Sequence, residues 1–282
     1  MELKLACADF TFPLLSHEQV FKLLAMLGFQ GVDLGLFENR SQLQPSHVLP
    51  NLVQSAKALS HKVNDAGLTI ADVFFQTTAF DDRSANHPDH GERAKGRDLF
   101  LRMLEFTVRC NARHMTGLPG IAWEGVDDTV SLKRSAEELA WRAEQGKSVG
   151  VVFSVEPHVG SITPSPEQAL QLLNMAPGLT VTLDYTHFTR AGIPDAEVEP
   201  LVKHASHFHA RGARKDRLQA SMKENVIDYP SIVRTMKLVG YPGYIGVEYV
   251  WQDWEHCNEV DNVSETVLMR DLIIKSFNGV GP

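Results

Sequence analysis

The feature that most constrains this chain is a strict alternation. Eight short runs of β-branched and aromatic residues fall at 4–9, 32–38, 69–76, 113–117, 151–158, 180–187, 205–210 and 244–250. Between them lie longer segments of helical period at 17–27, 52–66, 89–110, 131–148, 166–175, 229–239 and 263–277. In 89–110, for example, Leu99, Met103, Phe106 and Val108 recur at roughly helical spacing with charges between them. Strands separated by helices must pair in parallel, because each return to the sheet crosses its face. Eight such units in 282 residues close more economically into a (β/α)8 barrel than into an open doubly wound sheet, so a single TIM-barrel domain over 1–282 is expected. No GxGxxG follows the first strand, so the dinucleotide-binding version lacks its fingerprint. Boundary signals agree: Ser16 precedes one helix and Gly28 follows it, Gly67 closes the next, and Ser165 followed by Pro166 reads as a cap with proline at the first helical position. The weakest element is 195–203, short and interrupted by Pro200.

Composition narrows the class. Twenty-seven basic against 35 acidic residues leave a net charge of −8, which argues against a broad basic face for nucleic acid. No apolar run reaches the ~20 residues of a membrane span, and the first residues show no basic segment followed by an apolar stretch. Cys7, Cys110 and Cys257 are odd in number and scattered, matching neither a disulfide framework nor a CxxC knuckle, so a reducing, cytoplasmic setting is expected.

In a barrel of this kind the reactive groups stand at the C-terminal ends of the strands. Four polar residues occupy such places: Glu156 in VVFSVEPH, Asp184 in LTVTLDYTHF, His209 in ASHFHARG and Glu248 in YIGVEYV. Two residues back from each are Ser154, Thr182, His207 and Gly246, which share the inward face one layer down and are small or polar. Singly, a strand-end carboxylate is more often a helix cap and a strand histidine a core residue. Three carboxylates buried together without a cation, however, would cost several kcal/mol per charge. An oxygen-rich set with one nitrogen suits one hard or borderline divalent ion, manganese first, with magnesium, cobalt or zinc as alternatives.

At these residues the chain resembles the xylose isomerase-like barrel superfamily of sugar isomerases and epimerases, which also contains endonuclease IV. LGFQGVDLG looks like that superfamily's second-strand pattern, VVFSVEPH its strand-five glutamate motif, LDYTHF its Asp-x-x-His, FHAR its strand-seven histidine and GVEYV its final glutamate. The resemblance implies that Glu156, Asp184, His209 and Glu248 hold one divalent metal. It also implies that Glu156 and Glu248 act as proton-transfer groups on opposite faces of a bound sugar, as in ketose 3-epimerases, and that His187 contacts substrate. Similar barrels form dimers or tetramers, so a homodimer or homotetramer is expected.

Weaker signals surround this set. The loop RGARKDR after strand seven offers Arg211, Arg214, Lys215 and Arg217. Some ketose epimerases carry a substrate arginine a few residues after the strand-seven histidine, and Arg214 and Arg217 are both candidates. His158 shares the strand side of Glu156 and is read as a substrate contact. Trp123, Trp251 and Trp254 follow strands four and eight, where an indole stacks on a sugar face; Trp251 is carried as the substrate candidate. His114 reads as a packed strand histidine.

The leading expectation is a metal-dependent isomerase or epimerase of a keto-sugar or related polyol, acting through an enediolate. The alternative keeps the site and changes the outcome: a lyase or dehydratase on an inosose or a 3-keto-glycoside. An endonuclease IV-like phosphodiesterase needs more histidines; strand three ends FFQTTAF and no Asp-x-His follows His209. A silent binding barrel would be expected to have lost one of the four ligands, and all are present.

Overall fold

The computed structural model describes residues 1–279; the expected unit runs to 282, and its last three residues lie outside the described ones. The eight strands are β1 (Leu5–Ala8), β2 (Gly31–Phe37), β3 (Thr69–Gln76), β4 (His114–Gly117), β5 (Val152–Val155), β6 (Thr180–Asp184), β7 (Ala205–Ala210) and β8 (Ile245–Val247). Each pairs in parallel with the next and β8 pairs with β1, so the sheet closes in sequence order as a (β/α)8 barrel. The helices are α1 (His17–Met26), α2 (Pro45–Val48), α3 (Leu52–Asp65), α4 (His90–Arg109), α5 (Asp128–Ser148), α6 (Pro166–Met175), α7 (Tyr185–Arg190), α8 (Asp195–Val198), α9 (Tyr229–Val239) and α10 (Asn262–Asn278). None among the described residues is long and apolar enough to cross a membrane.

Local chemistry sets the boundaries. Ser16 and Gln19 form a reciprocal capping box at α1, and Ser165 accepts from the Gln168 N–H ahead of Pro166. The helix read from the sequence as 131–148 starts at Asp128, because the Asp127 carboxylate accepts from the Thr129 and Val130 N–H groups. The strand read as 180–187 ends at Asp184 for the same reason: its carboxylate accepts from the Thr186 N–H at 2.8 Å and starts α7, which therefore carries His187. Around Pro200 the weak segment becomes α8 followed by a 3-10 turn. Strands β5 and β8 are shorter than their apolar runs, so Glu156 and Glu248 each lie one residue past a strand end.

The apolar core lies between sheet and helices, with Phe100 of α4 meeting Phe153 of β5 edge-on at 5.2 Å. Inside the barrel the filling is polar. The hydroxyls of Thr116, Ser154 and Thr182 form a triangle with sides of 2.6, 2.7 and 3.2 Å. Beside it, His114 bonds Asp72 at 2.6 Å and Ser206 at 2.8 Å, and His207 donates to Asp33 at 3.1 Å. Barrel interiors of this size are usually packed with branched aliphatic residues. Here a hydrogen-bonded layer supports the mouth.

Candidate metal centre and active site

Glu156, Asp184, His209 and Glu248 come from four consecutive strand ends and are all buried. One ligand atom from each lies within 4.8 Å of the others. His209 Nδ1 stands 2.6 Å from Glu156 Oε1 and 3.6 Å from Glu248 Oε2. Arg211, two residues beyond His209, donates through Nη2 to Asp184 Oδ2 at 2.8 Å and lies 3.5 Å from Glu248 Oε2. With His187 Nε2 lying 3.6 Å from Asp184 Oδ2 and 3.8 Å from Glu156 Oε2, three carboxylates face one guanidinium and two imidazoles.

Titration behaviour here follows from burial and from the crowding of carboxylates. Burial pushes Glu248 up to about 7, against the pull of His209 and Arg211. Burial also works to raise Glu156, but its hydrogen bond to His209 and the charge of that ring hold it below the usual glutamate range. For Asp184 the burial penalty is overcome first by Arg211, and its carboxyl lies low. Burial disfavours the charged form of His209, yet the Glu248 and Glu156 carboxylates drive its imidazole well above its ordinary value. A proton on His209 therefore stands where a cation would neutralise the cluster. Buried Glu248 Oε2 has no hydrogen-bond partner. An unpartnered carboxylate oxygen, excess carboxylate and the oxygen-rich composition fit one divalent ion on these four residues.

Glu156 and Glu248 open onto a pocket of about 360 Å³. Its walls are mainly aromatic, from Phe10, Phe37, Phe74, Phe80 and Trp254, and its polar groups are held in set states. His158 Nδ1 donates to the Val159 carbonyl at 2.8 Å, while the Val159 N–H donates to His187 Nδ1 at 3.1 Å. The backbone of one residue, Val159, thus fixes both neutral tautomers: His158 presents Nε2 as an acceptor and His187 presents Nε2–H as a donor. Burial, then the charge of His187, lowers the His158 imidazole to about 4, and burial also lowers His187. Both Nε2 atoms are buried without a partner.

Other sequence candidates lie elsewhere. Arg214 is half-buried and pairs with Glu224 at 3.3 Å; Arg217 donates to Glu259 at 2.6 Å, clasping the loop after β8. Neither lines the pocket, whereas Arg211 does. Trp251 lines a shallow outer groove with Arg40 and Gln252, and Trp254 reaches the pocket instead. Trp123 donates its indole N–H to Asn86 at 3.0 Å. His114 is buried against Asp72 inside the barrel. Sequence reasoning passed over Arg211 as a site residue, although counting forward by two from His209 reaches it. It also missed Arg40 at the rim, whose guanidinium lies over Phe37 and donates to Gln76 Oε1 at 2.5 Å.

A closed parallel barrel with acidic residues and a histidine gathered at its C-terminal mouth defines a TIM-barrel protein with its polar cluster at the face where this fold carries active sites. The chain belongs to the xylose isomerase-like TIM barrel family, whose model matches residues 21–270. No curated protein sequence matches it closely enough to count as a relative. Among solved structures, it is similar to D-psicose 3-epimerase with D-tagatose from Clostridium cellulolyticum H10, with TM-score 0.76, 15% identity and coverage of 98% of this chain and 99% of that one. It is also similar to an AP endonuclease, family 2, from Brucella melitensis, with TM-score 0.72, 20% identity and coverage of 96% and 99%. The probable 3-DHS dehydratase AsbF of petrobactin synthesis in Bacillus anthracis aligns with TM-score 0.70, 12% identity and coverage of 96% and 99%. At these identities the likeness is one of fold.

Proposed function

We propose that this protein is a divalent-metal-dependent isomerase or epimerase of a keto-sugar, with Glu156 and Glu248 as its acid–base pair. The observation that carries the reading is the convergence of Glu156, Asp184, His209 and Glu248 behind an aromatic-walled pocket into which both glutamates open. Glu156, Asp184, His209 and Glu248 would hold the cation, with manganese as the first choice, and when bound it would supply Lewis-acid stabilisation of the negative charge that develops as the α-proton leaves. One glutamate takes the α-proton and the other returns a proton to the opposite face, inverting the carbon. His158 Nε2 accepts from a substrate hydroxyl, His187 Nε2–H donates to one, and Arg211 holds Asp184 in place. Phe37, Phe74 and Trp254 cover the apolar face of the sugar and exclude water.

A second reading is a lyase or dehydratase on an inosose or 3-keto-glycoside. His187 favours it, since its buried Nε2–H, 3.8 Å from Glu156 Oε2, is placed to hydrogen-bond a leaving hydroxyl while one of the two glutamates, in its protonated form, gives that hydroxyl its proton. The test is metal content per chain, followed by ketoses and keto-glycosides in deuterated water. Epimerisation puts solvent deuterium on one carbon, whereas elimination yields a conjugated carbonyl. Glu156→Gln and Glu248→Gln should each lower turnover by about 10²–10⁴-fold. Undiminished turnover in both, with metal bound, would sink the acid–base assignment.

A further inference from the structure

Beneath the mouth, Asp33 of β2 is a fully buried carboxylate that neither the acid–base pair nor the four-residue cluster uses. One of its oxygens, Oδ2, accepts from His207 Nε2 at 3.1 Å. The other, Oδ1, is buried with no hydrogen-bond partner. The fold has made room for this group: a Cβ built on Gly246 of β8 would stand 2.0 Å from Asp33 Oδ2. Gly246 is two residues before Glu248, so the strand that supplies a carboxylate to the mouth also vacates the space for one underneath.

The ring of His209 spans the two layers. Its Nδ1 faces Glu156 and Glu248, and its Nε2 is buried without a partner. A ring nitrogen of His209, one of His207 and a carboxylate oxygen of Asp33 all lie within 4.8 Å of one another. His209 Nε2 and Asp33 Oδ1 are both buried without a partner, on residues whose ring and carboxylate come within 4.8 Å of each other. Histidines that ligate metals through one nitrogen almost always donate the other N–H to a carboxylate or carbonyl, which fixes the tautomer and raises ligand basicity.

We propose that Asp33 is a positioning residue for the metal centre: it receives His209 Nε2–H, directly or through one water, and so commits Nδ1 to the cation. His207 holds the second oxygen of Asp33 and sets the carboxylate's orientation. The inference rests on the metal-centre reading and adds an element from the opposite side of the barrel to it.

The experiment is Mn²⁺ titration of the full chain followed by electron paramagnetic resonance, comparing wild type with Asp33→Asn, which preserves shape and removes charge. The expected result is one ion per chain and a dissociation constant raised about 10–100-fold in the variant. A merely structural Asp33 would lower the melting temperature and leave the dissociation constant within twofold, overturning the inference. Should the variant fold poorly, ¹⁵N-histidine NMR on the Mg²⁺-loaded wild type decides: Nε2 protonated and Nδ1 ligating supports the inference, and the reverse overturns it. Two ions per chain, one lost in Asp33→Asn, would make Asp33, His207 and His209 a second metal site and refute the positioning role. A wild type that takes up no metal overturns the metal reading itself, and the inference with it.

Discussion

Replacing Gly246 with alanine tests the polar layer under the mouth. The glycine has no positive φ, so backbone strain is not the obstacle; space is. The new methyl would stand 2.0 Å from Asp33 Oδ2 and 3.2 Å from His207 Nε2. To reach an ordinary contact of 3.4 Å the carboxylate must retreat by roughly 1.4 Å, the difference between those values. That retreat breaks its 3.1 Å bond to His207. Losing a buried hydrogen bond to a charged group costs roughly 1.5–3 kcal/mol, and overpacking a filled interior adds about 1–3 kcal/mol. The lost backbone freedom of glycine in the unfolded chain offsets about 0.4–1 kcal/mol of this. The net expectation is a destabilisation of roughly 2–5 kcal/mol, read as a fall in the urea midpoint at unchanged slope. Combining Gly246→Ala with Asp33→Ala should give a coupling energy above about 1 kcal/mol, because the second change removes the obstructing atom. A midpoint moved by less than about 0.5 kcal/mol equivalent, or strict additivity in the double variant, would refute the steric argument.

Two further outcomes follow from the site. In metal-free protein Glu248 titrates near 7 when folded, against an ordinary value of 4.5. A carboxyl raised on folding contributes stability that is complete below about 4.5 and lost as pH climbs through about 7. The gap corresponds to roughly 3 kcal/mol. Melting curves across that window should fall in the wild type and flatten in Glu248→Gln; equal slopes would refute the assignment. Arg211→Ala leaves Asp184 buried and unpaired, a loss of about 3–5 kcal/mol. Arg214→Ala breaks only a surface pair and should change stability by less than about 1 kcal/mol, with KM within twofold. A tenfold rise in KM for Arg214→Ala would show that its loop closes over the substrate.

How much of this was legible in the chain depends on the range over which each feature is determined. Strand and helix order, and the positions of Glu156, Asp184, His209 and Glu248, follow from period-two and helical patterns within a few residues. The end of β6 was misread because a carboxylate at a strand end is also a helix cap, and Asp184 starts α7 as well as joining the cluster. Arg211 over Arg214 and Arg217, and Trp254 over Trp251, were decided by where the chain turns after a strand. Periodicity ends with the strand, so it carries no information there.

The sequence by itself determined the number of β–α units, their closure into a barrel and which four strand ends bring carboxylates and a histidine together, because those are written in local alternation and in residues with few alternative roles. Only the tertiary structure decided what surrounds the four. The Val159 N–H that sets the His187 tautomer, the aromatic walls from the first three strands and their loops, and Asp33 under His209 all depend on contacts between segments far apart in the chain. Such contacts exist only once the sheet has closed and β2 has been brought across the barrel from β7.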